Sequence, residues 1–324
     1  MKVSVIGTGA YGLALALSAA KNNHDVMMWT ENEDIYQEYQ ESKNLKSIMD
    51  VAVPFNIRVS RSYKDVLEDT DLIIMATASK YIDIVCEKMK DFYHNDIPIC
   101  IATKGIEEST KKLLSNVVNE MLDTSNIAVI SGPTFAIDMA RGEPVGLALG
   151  CHISKTRKII MKALCHDRLK LRPTKDMTGI QICGAVKNII AIASGILKGL
   201  GYTDSTGALL INESLHDIKN IIYYLGGNPN TILSFAGIGD LLLTCTSVKS
   251  RNFSFGYTIG STKDIKKISD YLKNNTVEGY TTLNTVYKML KHKDIEIPLI
   301  NVIYDIVYNE EDPNILAKFL IEKE

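Results

Sequence analysis

The chain has 324 residues, of which 46% are hydrophobic, and a formal net charge of −2. This length exceeds the usual size of one hydrophobic core, so the sequence predicts two domains. The near-neutral charge provides no basic surplus for nucleic acid or an anionic membrane surface, and we expect neither as a partner.

Further features of the sequence bear on compartment and on metals. No charged and apolar leader precedes the first predicted strand, and we expect no run of about 20 apolar residues that could span a membrane. We therefore expect a cytoplasmic protein. The six cysteines lie in apolar segments without Cys-x-x-Cys spacing, which is typical of reduced, buried thiols. The six histidines are dispersed, so no metal site is predicted.

The first predicted element is a strand over Lys2–Ile6, which runs directly into Gly7-Thr8-Gly9-Ala10-Tyr11-Gly12 and an Ala- and Leu-rich helix. Dinucleotide-binding units have this order. The first glycine ends the strand, the second leaves the backbone bare for a pyrophosphate, and the third lets the helix pack closely on the sheet. The N–H groups of the helix N-terminus favour the same anion. A second strand over Asp25–Trp29 completes the unit, and the alternative is a glycine turn with only a structural role.

Further apolar, β-branched runs alternate with helical or polar stretches in the first half of the chain. They predict buried strands over residues 71–77, 97–103, 127–131 and 145–149. This alternation predicts an α/β domain with a doubly wound, mostly parallel sheet. Ligands of such sheets bind beyond the carboxyl ends of the strands, where this chain places Ala78-Ser79-Lys80, Lys104-Gly105 and Gly132-Pro133-Thr134.

After about residue 175 the apolar residues recur at helical spacing, which predicts a mostly helical second domain. The predicted helices cover residues 177–200, 208–225 and 281–291. The strand-like run 168–172 is followed by Pro173, so we expect the sheet to end there. We divide the chain into a dinucleotide-binding domain over residues 1–175 and a substrate-binding domain over 176–324, with the cleft between them as the default active site.

Lys187 stands in the apolar helical run 182–193. A lysine in such a setting is unfavourable to bury without a partner. In one interpretation its aliphatic stem lies on the core while the amine reaches water. In the other it is a desolvated amine whose pKa falls toward the range useful for proton transfer.

Two later clusters carry polar groups beside apolar helices. Asp240 follows two glycines in Gly237-Ile238-Gly239-Asp240, and Ser250-Arg251-Asn252 offers a hydroxyl, a guanidinium and an amide in consecutive positions. Taken singly, Asp240 could be a helix N-cap and Arg251 a surface charge. Taken together they indicate an anion site, because arginine grips phosphate through two parallel hydrogen bonds.

Several motifs in a fixed order carry a resemblance that extends from the first strand to about residue 310. They are residues 7–12, Ala102-Thr103-Lys104-Gly105, Ser131-Gly132-Pro133-Thr134-Phe135-Ala136, Gly184-Ala185-Val186-Lys187-Asn188, Ala236-Gly237-Ile238-Gly239-Asp240-Leu241, Thr244-Cys245, Ser250-Arg251-Asn252 with Phe255-Gly256, and Val277-Glu278-Gly279. With these motifs the chain resembles the bacterial-type NAD(P)-dependent glycerol-3-phosphate dehydrogenase family. The resemblance implies a Rossmann domain followed by an all-helical domain like that of 6-phosphogluconate dehydrogenase. It also implies reversible oxidation of sn-glycerol 3-phosphate to dihydroxyacetone phosphate.

The resemblance also implies roles for individual residues. Lys187 would supply the proton in the reducing direction, Lys104 would be a second catalytic-site cation, and Asp240 would favour and orient the ammonium of the first lysine. The residues expected at the substrate are Lys104, Gly132, Thr134, Lys187, Asn188, Asp240, Ser250, Arg251 and Asn252. The residues expected at the cofactor, NAD or NADP, are Gly7, Gly9, Ala10, Tyr11, Gly12, Glu31, Lys104, Ala136, Arg251, Thr276 and Glu278.

The sequence departs from the family pattern at two places. Trp29-Thr30-Glu31 stands where many members have a basic or imidazole side chain after the second strand. A carboxylate about 20 residues past the fingerprint accepts hydrogen bonds from the ribose hydroxyls of NAD and repels the 2′-phosphate of NADP. The sequence therefore favours NAD, and the alternative is that Glu31 points to solvent. Thr203 and Ser205 stand where the family usually has a glycine and an asparagine.

Two other functions stay open on the sequence. A ketopantoate-type reductase of a small oxo-acid would share the two-domain fold, although Ser250-Arg251-Asn252 favours a phosphate over a carboxylate. A non-catalytic NAD-binding regulator would not require Lys104, Lys187 and Asp240 together. For the main hypothesis we expect a small phosphorylated substrate, a role in supplying glycerol 3-phosphate for phospholipid synthesis, and a homodimer.

Overall fold

The computed structural model describes residues 1–262 and 265–323, which form two compact units. The first unit comprises Met1–Lys104 and Leu113–Met177, and the second comprises Gly105–Lys112 and Thr178–Glu324. The short segment Gly105–Lys112 therefore belongs to the second unit, although the chain on either side of it belongs to the first.

A single sheet forms the centre of the first unit. Its strands are β1 (Lys2–Ile6), β2 (Asp25–Trp29), β3 (Ile57–Ser60), β4 (Leu72–Met75), β5 (Ile99–Ile101), β6 (Ile127–Ser131), β7 (Val145–Cys151) and β8 (Leu169–Thr174). Across the described residues the order of this eight-stranded sheet is β3-β2-β1-β4-β5-β6-β7-β8. Neighbouring strands are parallel, except for the antiparallel pair of β6 and β7. The predicted doubly wound, mostly parallel α/β sheet is confirmed.

Helices connect these strands. They are α1 (Ala10–Lys21), α2 (Glu33–Ser42), α3 (Tyr63–Leu67), α4 (Ile82–Met89), α5 (Leu114–Leu122), α6 (Ala136–Ala140) and α7 (Ser154–Leu164), with 3-10 turns at Ser79–Tyr81 and Lys90–Phe92. The first helix packs against β1, β2 and α6. Its Leu13, Ala16 and Ala19 are fully buried, because small and branched residues recur on the helix face that meets the sheet. This packing fixes the glycine-rich loop between β1 and α1.

One detail of the sheet differs from the prediction. The strand β3 was not predicted, since only Ile57 and Val59 are buried in its four residues while Arg58 between them is exposed. The last strand, β8, includes Pro173 and ends at Thr174, within one residue of the predicted end of the sheet. In the described sheet this strand lies at the edge and pairs with β7 alone. Proline has no N–H, but at an edge strand its absence breaks no hydrogen bond to a further strand.

The second unit is helical, as predicted. Its helices are α8 (Met177–Gly199), α9 (Asp204–Tyr224), α10 (Asp240–Cys245), α11 (Arg251–Ser261), α12 (Ile265–Asn274), α13 (Glu278–His292), α14 (Pro298–Tyr308) and α15 (Ile315–Glu322). A 3-10 turn at Pro229–Leu233 and a π-type turn at Phe235–Gly239 precede α10.

The long helix α8 corrects one expectation from the sequence. Its length and composition are those of a helix that could cross a membrane, although the sequence predicts no such segment. All of its most apolar stretch is buried inside the structure. The apolar composition of α8 is therefore used in the core of the second unit.

Glycines bring α8 and α11 into backbone contact. A Cβ atom added to Gly195 would lie 2.0 Å from the carbonyl oxygen of Phe253, and one added to Gly256 would lie 1.9 Å from that of Ile192. Any larger residue would force the two backbones apart. The close crossing holds α11 against the helix that carries Lys187.

Candidate active site

The glycine-rich loop of the first unit has the geometry that a dinucleotide requires. Gly7 has a φ of +117°, and a Cβ atom on it would lie 2.8 Å from the carbonyl oxygen of Ala76. A Cβ on Gly12 would lie 2.2 Å from the carbonyl oxygen of Gly7, whereas one on Gly9 would meet nothing within 4 Å. Two glycines are thus required by the fold, while the third leaves open space beside the N-terminus of α1. The loop fits a pyrophosphate at Gly9.

Other predicted cofactor residues surround this loop. Ala10 and Tyr11 begin α1, and Ala136 begins α6, which packs on α1. The Nζ atom of Lys104 lies 5.9 Å from the centre of the Tyr11 ring, a distance at which a cation is attracted to an aromatic face. The first unit therefore brings Lys104 next to the start of α1.

The turn that follows β6 contains the predicted Gly132 and Thr134. A Cβ atom on Gly132 would lie 2.8 Å from the carbonyl oxygen of Gly146 in β7, so this position also requires glycine. The N–H of Thr134 donates to the carbonyl of Gly132 at 3.0 Å, and its hydroxyl donates to the carbonyl of Phe135 at 3.0 Å. These bonds form a tight turn at the carboxyl end of β6.

Glu31 follows the carboxyl end of β2, and its carboxylate pairs with Lys88. The Oε1 atom of Glu31 lies 2.8 Å from Nζ of Lys88, and the two side chains are 70% and 46% exposed. The glutamate that the sequence assigns to the ribose therefore has a lysine beside it.

In the second unit Lys187 is buried in an ion pair. Lys187 is 6% exposed and Asp240 is 1% exposed. The lysine Nζ donates to Oδ1 of Asp240 at 2.5 Å and to the hydroxyl of Thr244 at 3.0 Å. The interpretation in which the amine reaches water is wrong. Two acceptors on α10 instead hold the ammonium inside the unit.

Thr244 is a residue of this site to which sequence reasoning gave no role. Its hydroxyl donates to the carbonyl of Asp240 at 2.7 Å, which leaves an oxygen lone pair to accept from Lys187. Thr244 stands four residues after Asp240 in one helix, so both face the same side. That spacing, together with the motif Thr244-Cys245, could have identified it.

The local backbone explains why Asp240 faces the lysine. Gly237 has the non-helical angles φ −86° and ψ −112°, and a Cβ on it would lie 2.0 Å from the carbonyl oxygen of Ile232. Only glycine fits this kink, which directs the start of α10. Gly239 is the N-cap of that helix, so the interpretation of Asp240 as an N-cap is wrong.

The predicted anion-binding triplet lies at the N-terminus of α11. Ser250 is the N-cap and its hydroxyl oxygen accepts from the N–H of Phe253 at 3.3 Å. Arg251 is exposed, and its carbonyl accepts from the hydroxyl of Tyr271 at 3.2 Å. A helix N-terminus favours an anion, and here an arginine and a serine hydroxyl stand beside it.

Gly279 joins the remaining predicted residues of the second unit. Its N–H donates to Oδ1 of Asn252 at 2.8 Å, and a Cβ on it would lie 2.6 Å from the carbonyl oxygen of Asn188. The Asn188 amide donates to Oε2 of Glu278 at 3.5 Å. Thr276, which precedes α13, is exposed. The starts of α11 and α13 thus meet α8 one residue from Lys187.

The two units therefore divide the predicted residues between them. The first unit holds Gly7, Gly9, Ala10, Tyr11, Gly12, Glu31, Lys104, Gly132, Thr134 and Ala136, and the second holds Lys187, Asn188, Asp240, Ser250, Arg251, Asn252, Thr276 and Glu278.

Among the described residues no group of three or more His, Cys, Asp or Glu side chains could hold a metal ion.

Comparison with known proteins assigns this architecture to a family. Residues 2–157 match the model of the NAD-dependent glycerol-3-phosphate dehydrogenase N-terminus, and residues 176–318 match the model of its C-terminus. A glycerol-3-phosphate dehydrogenase (NAD(P)+) of Staphylococcus haemolyticus is 33% identical over 323 residues, covering 96% of this chain and 95% of the relative.

Solved structures agree with this assignment. A crystal structure of glycerol-3-phosphate dehydrogenase from Coxiella burnetii superposes with a TM-score of 0.93 and 30% identity, covering 99% of each chain. A ketopantoate reductase from Ralstonia eutropha has a TM-score of 0.62 and 12% identity, over 99% of this chain and 100% of that one, which shows a shared fold alone.

A glycine loop built for a dinucleotide and a helical unit with a buried lysine define a nicotinamide-dependent dehydrogenase. The chain belongs to the NAD-dependent glycerol-3-phosphate dehydrogenase family.

Proposed function

We propose that this chain interconverts sn-glycerol 3-phosphate and dihydroxyacetone phosphate with NAD(P) as the cofactor. The observation that carries the proposal is the buried pair of Lys187 and Asp240. Asp240 belongs to α10, and the next helix, α11, begins with Arg251. The pair provides a proton donor for a carbonyl oxygen. The helix terminus provides a phosphate site.

The proton step follows from the contacts of Lys187. When bound, NADH or NADPH supplies the hydride, and negative charge then develops on the ketone oxygen of the substrate. The Asp240 carboxylate 2.5 Å from Nζ stabilises the ammonium form, and Thr244 fixes its direction. Lys187 gives its proton to the substrate oxygen during reduction and takes a proton back during oxidation.

Phosphate recognition is assigned to the start of α11. The guanidinium of Arg251 can grip two phosphate oxygens, and the helix dipole favours the same charge. The capping bond of Ser250 uses its oxygen as acceptor, so its O–H can donate to the phosphate. The Oδ1 of Asn252 is held by Gly279, which leaves the amide NH₂ group for the anion.

The remaining predicted residues are assigned by the ligand that each would contact. We assign Lys104, Gly132, Thr134 and Asn188 to the substrate, with Lys104 also at the cofactor. The glycine-loop residues, Ala136, Arg251, Thr276 and Glu278 are assigned to the cofactor. This assignment treats residues 1–175 as the dinucleotide-binding domain and residues 176–324 as the substrate-binding domain.

Glu31 is assigned to the adenosine ribose. It follows the carboxyl end of β2, where the cofactor ribose arrives in this fold, and a carboxylate there meets a 2′-hydroxyl favourably and a 2′-phosphate unfavourably. The chain should therefore prefer NADH to NADPH.

We assign the protein to the cytoplasm, where it would supply glycerol 3-phosphate for phospholipid synthesis, and we propose a homodimer. Exposed apolar side chains at the end of α9 and in the next turn, Tyr223, Tyr224 and Leu233, support self-association. Light scattering should give twice the chain mass of 35.9 kDa.

The function is tested by following NADH absorbance with three carbonyl substrates. Dihydroxyacetone phosphate should be reduced far more efficiently than ketopantoate or phosphate-free dihydroxyacetone. Efficient reduction of ketopantoate would instead support the oxo-acid reductase. Binding of NADH without turnover of any substrate would support a non-catalytic regulator.

A further inference from the structure

Two cations from different elements stand beside Glu31. Lys88, near the end of α4, pairs with its carboxylate at 2.8 Å. Arg61, which follows β3, donates from Nη2 to the carbonyl of Glu31 at 3.5 Å and pairs through Nη1 with Glu33. The charges of these two glutamates and two cations sum to zero.

The backbone that carries this cluster is anchored. The carbonyl of Arg61 accepts from the indole Nε1 of Trp29 at 3.1 Å, and the Trp29 ring stacks on Tyr63 at 4.3 Å. The next residue, Thr30, accepts from the hydroxyl of Thr8 at 2.7 Å, which ties this strand end to the glycine-rich loop. The cluster therefore lies at the carboxyl ends of β1, β2 and β3, beside the loop that fits a pyrophosphate.

The two cations are held by weak, exchangeable contacts. Exposed ion pairs contribute little to stability, so a phosphate can replace a glutamate as the partner of these cations. A phosphomonoester carries a charge of about −1.5 to −2 at neutral pH, which one lysine and one arginine can balance. A 2′-hydroxyl needs no cation and can donate to Glu31 instead.

We propose that Lys88 and Arg61 form the phosphate-accepting half of the ribose site, so that Glu31 sets the preference for NADH while Lys88 keeps NADPH usable. This inference rests on the proposed cofactor site of the dehydrogenase. It assigns recognition of the NADPH 2′-phosphate to Lys88 and Arg61, which lie 27 positions apart in the sequence. Lys88 belongs to α4, and Arg61 follows β3.

The experiment measures cofactor binding without substrate, through quenching of the chain's single tryptophan, Trp29. Wild type, Lys88→Gln, Glu31→Gln and the double variant are titrated with NADH and NADPH. Lys90→Gln serves as the control, since Lys90 is an exposed lysine in the next turn. Because no turnover is needed, failure of the proposed reaction would show as absent dihydroxyacetone phosphate reduction and would leave these affinities interpretable.

We expect Lys88→Gln to weaken NADPH binding about 3- to 5-fold and NADH binding less than twofold, with Lys90→Gln changing neither. Glu31→Gln should strengthen NADPH binding. In the double variant the loss of Lys88 should still weaken NADPH binding relative to Glu31→Gln alone, since the lysine acts on the phosphate itself. Three results would overturn the inference: equal effects on both cofactors, no effect of Lys88 once Glu31 is neutral, or no binding of NADPH by wild type.

Discussion

Lys187 Nζ lies 2.5 Å from Oδ1 of Asp240, and both side chains are almost completely buried. Two charges at this depth stabilise each other only as a pair, because either one alone would be left in the interior without a counter-ion. The pair links the long helix α8 to the short helix α10. It is therefore both a candidate for proton transfer and a part of the packing of the second unit.

Replacing Lys187 by alanine should lower kcat by about 10²- to 10⁴-fold while NADH still binds, since the variant lacks the proton donor but keeps the glycine loop. The matched control is Lys198→Ala in the same helix, because Lys198 is exposed and its replacement should leave kcat unchanged. Steady-state kinetics with dihydroxyacetone phosphate checks the prediction. Retention of more than a third of wild-type kcat would show that another group gives the proton.

The Lys187→Ala variant should also lose about 3–5 kcal/mol of unfolding free energy, because Asp240 would be left buried without its counter-ion. Combining it with Asp240→Asn should restore much of that stability without restoring activity. Urea unfolding of both variants separates the structural role of the pair from its chemical role.

Replacing Arg251 by alanine should raise KM for dihydroxyacetone phosphate about 10- to 100-fold, since hydrogen bonds to a charged group contribute about 1.5–3 kcal/mol. Arg251→Lys should recover only part of the loss, because lysine lacks the planar fork. Phosphate-free dihydroxyacetone, already a poor substrate, should suffer much less. Equal proportional losses on the two ketones would refute a phosphate role for Arg251.

Wild type should prefer NADH over NADPH by about 5- to 30-fold in kcat/KM. This ratio corresponds to about 1–2 kcal/mol of screened repulsion between Glu31 and the 2′-phosphate. Glu31→Arg should narrow or reverse that ratio and leave the KM for dihydroxyacetone phosphate nearly unchanged. If the ratio does not change in this variant, the ribose is recognised by other residues.

Glycine at position 195 should be needed for the contact of α8 with α11. Gly195→Ala should lower the free energy of unfolding by about 1–3 kcal/mol, because its Cβ would collide with the backbone of Phe253. Gly207→Ala, in α9, is the matched control, since a Cβ there meets nothing within 4 Å. Gly207→Ala should leave the free energy of unfolding unchanged or raise it by about 0.5–1 kcal/mol, because alanine is favoured over glycine in a helix. Equal effects at the two positions in urea unfolding would contradict the close crossing.

Glu107 should make stability depend on pH in the acid range. Burial alone would raise its pKa, but hydrogen bonds from Thr110 and Ser109 outweigh that effect and lower the pKa from 4.5 to about 2. A carboxyl with a lowered pKa in the folded state stabilises the protein above its ordinary pKa, and this contribution is lost as pH falls from about 4.5 toward 2.

The stability difference between wild type and Glu107→Gln should therefore be about 1–2 kcal/mol at pH 6 and should shrink below pH 4. Chemical unfolding at several pH values measures it. A difference that stays constant with pH would mean that the glutamate contributes through packing rather than through its charge.

Much of the first unit could be predicted because its sequence pattern is local. The strands β1, β2 and β6 have the predicted limits, and the roles of Gly7, Gly9 and Gly12 follow from sterics that any such loop shares. The strand β3 was not predicted because it has four residues and two buried side chains, which is too short for a clear alternation of apolar and polar residues. The pair of Glu31 and Lys88 had no sequence indication at all, since the two residues are 57 positions apart.

The second unit shows the same limit. Lys187 attracted attention because it is a charge within an apolar helix, yet its partners come from a helix more than fifty positions later. The segment Gly105–Lys112 packs with the second unit although its neighbours in sequence belong to the first. Long-range contacts of this kind depend on the completed fold rather than on any local pattern.

Product analysis of the purified chain shows whether it forms glycerol 3-phosphate from dihydroxyacetone phosphate. Dihydroxyacetone phosphate and a limiting amount of NADH are incubated with the enzyme, and the phosphorylated products are quantified by 31P NMR. We expect one sn-glycerol 3-phosphate for each NADH consumed, and the reverse reaction on addition of NAD+. No formation of glycerol 3-phosphate by folded, NADH-binding protein would contradict it.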